Sequence, residues 1–125
     1  MPLRSARLVA FVPVLDLDRA RNFYGSVLGL TVVEETPFAI LVDAAGTPVR
    51  LTVVGQLTPQ PFTVVGWEVG DVTAVARDLA ARGVPATRYA GMDQDGDGVW
   101  TSPSGARVAW FADPDGNTLS ITQPA

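Results

Sequence analysis

A chain of 125 residues, 47% hydrophobic and 18% charged, has the make-up of an ordinary globular domain and is long enough to bury roughly two thirds of its unfolded surface. A formal net charge of −4 with no basic cluster gives no electrostatic footprint for nucleic acid or an anionic membrane surface. The absence of cysteine excludes disulfides, thiolate nucleophiles and thiolate-bound zinc, and the absence of histidine removes the commonest general base and metal ligand.

In chain order, Arg4 and Arg7 precede the apolar run "LVAFVPVL", which has the outline of a signal peptide. The run is short, lacks a small-residue cleavage site and leads directly into a helix, so it reads as a buried strand, and the absence of cysteine is compatible with the cytoplasmic location expected. No segment approaches the roughly 20 apolar residues of a spanning helix. Asp16 is placed to cap a helix that Gly29 ends, with Leu17, Ala20, Phe23, Tyr24 and Val27 on one face. "FAILVDAAGTPVR", residues 38–50, then reads as a hairpin.

The same grammar returns. A strand from Val64 leads to a helix capped by Asp71 and ended at Gly83, with Val72, Val75, Ala76 and Leu79 facing a sheet. The strand at residues 106–113 turns through "DPDGN" and should pair with residues 118–122. Val9 aligns with Val64 and Asp16 with Asp71 at an offset of 55; Asp43 aligns with Asp113 and Arg50 with Ser120 at an offset of 70. About 15 extra residues therefore lie in the second half, and residues 90–105, rich in Gly, Asp, Ser and Pro, are expected to be a long loop. Within it Asp93, Asp95, Asp97 and Gly98 match the start of a calcium-binding loop, but Ser104 stands where the bidentate glutamate belongs and no amphipathic helix flanks it. A solvated acidic turn is the preferred reading, with weak, opportunistic cation binding as its alternative.

With two strand-helix-strand-strand-strand halves, "DLDRARNFYGSVLGL" after the first strand and "FADPDGN" before the last, the chain resembles the vicinal oxygen chelate superfamily of glyoxalase I, extradiol dioxygenases and bleomycin-resistance proteins. The resemblance implies an α+β fold of two βαβββ modules, about residues 7–56 and 61–123 of a single domain 1–125, forming curled mixed sheets around a cavity. It also implies four metal-ligand positions, which fall here on Val9, Val64, Arg50 and Ser120. Two valines, a cation and a lone hydroxyl cannot form such a shell, so no metal and no cofactor are expected.

Strand alternation gives further expectations. Val9, Phe11 and Pro13 share one face of the first strand, and Val64, Gly66 and Glu68 one face of the second, while Val65, Trp67 and Val69 lie beneath a helix. Arg50 and Glu68 either bind ligand or pair locally at a wet rim. Phe38, Tyr89, Trp100 and Trp110 are candidate aromatic walls. The ligand-binding set is thus Val9, Phe11, Arg50, Val64, Glu68, Trp100, Trp110 and Ser120, with no catalytic residue assigned. The primary reading is a metal-free binding protein for an antibiotic or metabolite, aromatic or anionic in character, acting as a homodimer. The alternatives are a metal-independent isomerase, cyclase or hydrolase using Glu68, Arg50 or Tyr24, and an interaction module with a vestigial cavity.

Overall fold

The computed structural model describes residues 2–125, which divide into two compact units with the boundary between Leu57 and Thr58. The first unit runs β1 (Ala10–Val14), α1 (Leu17–Ala20) continuing as a π-helix (Arg21–Val27), β2 (Thr31–Glu35), β3 (Ala39–Ala44) and β4 (Thr47–Val53). The second runs β5 (Thr63–Glu68), α2 (Val72–Ala81), β6 (Trp100–Thr101), β7 (Arg107–Ala112) and β8 (Thr118–Gln123).

The two sheets have the same topology. Their strand orders are β1-β4-β3-β2 and β5-β8-β7-β6, each with one parallel pair between its first and last strands and antiparallel pairs elsewhere. Phe11 stands opposite Arg50 in one parallel pair and Gly66 opposite Ser120 in the other, which reproduces at the backbone the offsets of 55 and 70 read from the sequence. Neither sheet closes on itself, so each keeps two open edges.

The helices form where local chemistry starts and stops them. The Asp16 carboxylate accepts the Arg19 N–H at 2.9 Å and the Asp71 carboxylate the Ala74 N–H at 3.0 Å, satisfying first-turn donors that have no partner within the helix. Gly29 and Gly83 take φ of 79° and 86°, a left-handed geometry that ends each helix at little steric cost. After Ala20 the first helix widens to a π register, in which the Leu28 N–H reaches the Phe23 carbonyl. Ala20, Phe23 and Tyr24 are buried on its inner face with Val12, Val14 and Leu51 in the same core. In the second unit Val72, Ala76 and Leu79 are buried, as are Phe111, Leu119 and Ile121 of the sheet. Trp67 stacks on Phe111 with centroids 6.3 Å apart.

The final hairpin is held by its own polar residues. Asp113 accepts the N–H groups of Asp115 and Asn117, and its second oxygen accepts the Asn117 amide at 2.8 Å, so both buried side chains are bonded. Asp43 makes the shorter version of this turn by accepting the Gly46 N–H.

Residues 90–105 are more ordered than a long loop. Gln94 bridges to Trp100, and Trp100–Thr101 pairs with β7 as the fourth strand of the second sheet. Two residues of pairing are too few to leave an alternating pattern in the sequence, which is why only the Gly and Asp content was legible there.

Candidate functional site

The inserted segment is built around two polar side chains. The Gln94 amide accepts the Tyr89 N–H at 2.8 Å and donates to the carbonyls of Thr87 and Gly98, both at 2.9 Å. The Thr87 N–H in turn donates to the Trp110 carbonyl of β7 at 2.7 Å, which ties residues 87–89 along the sheet. One Asp95 oxygen accepts the N–H groups of Asp97 and Val99. Arg88 closes the turn from outside, donating to the carbonyls of Asp95 and Gly96, and Arg77 of α2 grips Asp97 through two bonds of 3.1 Å. Asp95 and Asp97 therefore shape a turn, and among the described residues no three acidic side chains converge as a metal site would require.

The N–H of Val99 is the leading cause that holds the Asp95 carboxyl below its ordinary range, with smaller help from the Asp97 N–H, Arg107 and Arg88. A depressed folded value contributes stability above the unfolded value of about 3.9, and that contribution is lost as pH falls through the folded value. Asp95→Asn should therefore narrow the stability lost between neutral and acid pH, as measured by urea midpoints; an unchanged acid dependence would contradict the role given to Asp95.

This scaffold brings three aromatic rings together. Tyr89 meets Trp110 edge-on at 5.5 Å and 89°, and Trp100 lies 6.1 Å from Trp110 at a tilt of 40°. With Phe62 and Thr118 they line a concavity of about 610 Å³ within the second unit, at whose wall Asp93 also stands. Trp100 and Trp110 of the sequence-derived set thus share one site, and Tyr89, named as an aromatic wall, joins them. Phe62 was not named: it lies just ahead of β5 in a Pro- and Gln-rich stretch with no periodicity, and it is 60% exposed. Phe38 is exposed in the first unit.

The remaining set is distributed on the strands. Ser120 is 8% exposed and pairs with Trp110 on one side and Gly66 on the other, where a side-chain carbon on Gly66 would approach its Oγ to 2.7 Å. Val64 and Glu68 lie exposed on β5. In the first unit Val9 sits one residue before β1, Phe11 is 63% exposed, and half-buried Arg50 faces it across the parallel pair. The local salt bridges weighed for Arg50 and Glu68 are not made: neither forms an ion pair or side-chain hydrogen bond among the described residues. Two positions beyond Arg50, the Thr52 hydroxyl is buried and has no hydrogen-bond partner among the described residues. Tyr24 is 0% exposed with its ring edge-on to Phe23 at 5.1 Å, which makes it a core residue and removes it as an acid-base candidate.

The sequence matches the profile of the Glyoxalase/Bleomycin resistance protein/Dioxygenase superfamily over residues 6–121. The chain belongs to that superfamily. Its fold is similar to that of lactoylglutathione lyase from Agrobacterium tumefaciens, at 19% identity and a TM-score of 0.75 over 95% of this chain and 93% of that one. A superfamily member from Sphaerobacter thermophilus DSM 20745 is 24% identical, with a TM-score of 0.75 over 97% and 98% of the two chains. A third, from Alicyclobacillus acidocaldarius, is 19% identical, with a TM-score of 0.68 over 96% and 92%. At these identities the likeness is one of fold. No curated protein matches the sequence significantly. The four residues on which the resemblance leads one to expect metal ligands, Val9, Arg50, Val64 and Ser120, offer at most one neutral oxygen, and that hydroxyl lies buried against Gly66. These residues do not fit a divalent ion.

Proposed function

We propose that the protein binds a planar, aromatic small molecule without a metal ion, with Trp100, Trp110 and Tyr89 as the walls of the site. The observation that carries this reading is the aromatic concavity of about 610 Å³, which falls in the size range of small-molecule sites and combines apolar walls with few polar groups. Non-ligating side chains at the four superfamily metal positions support the metal-free part. Sequestration of an antibiotic or metabolite is the activity such a site serves. The enzyme reading has less support, because Tyr24, one of its acid-base candidates, is buried in the core.

The test is a titration followed by tryptophan fluorescence with acridine, a neutral flat aromatic compound. Saturable quenching at one site per chain is expected; a linear, non-saturating response would count against the reading.

The reading includes a cytoplasmic homodimer. Open sheet edges and the exposed apolar side chains of Phe11, Phe38 and Phe62 support pairing. Among the described residues no helix is long and apolar enough to cross a membrane. Light scattering at micromolar concentration should return twice the chain mass of 13.2 kDa, and a monomer mass would contradict the dimer.

A further inference from the structure

We infer that the aromatic site selects a cationic ligand: a flat aromatic ring system carrying a fixed positive charge. The inference deepens the binding reading above and rests on it. The decisive feature is Asp93. Its neighbours in the acidic run are committed elsewhere, Asp95 to the backbone of its own turn and Asp97 to Arg77. Asp93 makes no side-chain hydrogen bond or ion pair among the described residues and stands at the wall of the concavity with Tyr89, Trp100 and Trp110. Among the described residues no lysine or arginine lines this concavity, and the one formal charge they present to it is the Asp93 carboxylate.

Three electron-rich rings beside a carboxylate that has no partner among the described residues have a definite chemical preference. The faces of Trp and Tyr carry the negative end of the ring quadrupole and attract cations, most strongly where water is partly excluded. The carboxylate adds a Coulomb attraction of the same sign, and it repels an anion. Met92, also at the wall, supplies a polarisable thioether that adapts to an aromatic edge. The rings recognise flatness and the carboxylate recognises charge, so the site favours a ligand with both. The first unit's Arg50 would favour an anionic group in whatever contacts it, but it does not line this concavity.

A matched series separates the two properties. Acridine, N-methylacridinium and acridine-9-carboxylate share one ring system and differ in charge when titrated calorimetrically in mildly alkaline buffer. N-methylacridinium should bind about tenfold more tightly than acridine, and acridine-9-carboxylate more weakly than either. In Asp93→Asn, an isosteric change of an exposed side chain, the preference for N-methylacridinium over acridine should shrink toward one, with the circular dichroism spectrum confirming an intact fold. Equal affinity for all three compounds in the parent protein would overturn charge selection while leaving the binding reading intact. A preference that persists unchanged in Asp93→Asn would overturn the role of Asp93. Failure of all three to bind would overturn the binding reading and this inference with it.

Discussion

Gly98→Ala should destabilise the protein by about 2–5 kcal/mol, combining the left-handed backbone cost of a residue with a Cβ and the strain of overpacking. Gly98 has φ +84°, and a methyl group there would overlap the side chain of Ala86. The overlap is with a short side chain that has no rotamer to escape into, so the backbone has to move. That backbone carries the carbonyl bonded by Gln94 and leads directly to buried Val99 and to Trp100. The variant should therefore lose acridine binding as well as stability. A urea midpoint within experimental error of the parent would show that the inserted segment is not packed as described.

The second large effect concerns the central ring of the site. Trp110 touches both Tyr89 and Trp100, so its removal opens the wall on which the proposed flat ligand would lie. Trp110→Ala should weaken acridine binding about thirty-fold or more, the loss associated with an aromatic anchor of about 2 kcal/mol. Trp67 is the control, because its ring is stacked on Phe111 and does not line the concavity. Trp67→Phe should leave acridine affinity unchanged although it also removes a tryptophan. Equal weakening in the two variants would mean that lost stability, and not a lost wall, governs binding.

The parts of the structure that were legible in the sequence are those fixed by local chemistry or by repetition. Asp16 and Asp71 cap their helices, and Gly29 and Gly83 end them, because each needs only a few neighbouring backbone groups. The offsets linking Arg50 to Ser120 emerged from comparing the halves, and the sheets keep them as strand register. Three features were not legible. The π register after Ala20 shifts each hydrogen-bond partner by one residue without disturbing the apolar face that was read from helical spacing. The short β6 depends on bonds made by Gln94, a residue with no strand signature.

Asp93 was the third. Its spacing placed it in a calcium-loop pattern, and only the structure shows that Asp95 and Asp97 are taken up by bonds in which Asp93 has no part. Tyr89 and Trp110 are 21 positions apart in the chain, and their contact follows from the Thr87 bond to the Trp110 carbonyl. Composition could nominate these rings as walls, but their meeting is a consequence of the fold.

The proposed binding site works without a metal ion. The most direct measurement is calorimetric titration of acridine into chelator-treated protein and into the same protein supplied with zinc, nickel, manganese or iron(II). One site per chain with the same affinity in every titration is expected, because Val9, Arg50, Val64 and Ser120 offer an ion no more than one buried hydroxyl. Binding that appears only when one of these ions is supplied, and disappears again on chelation, would contradict it.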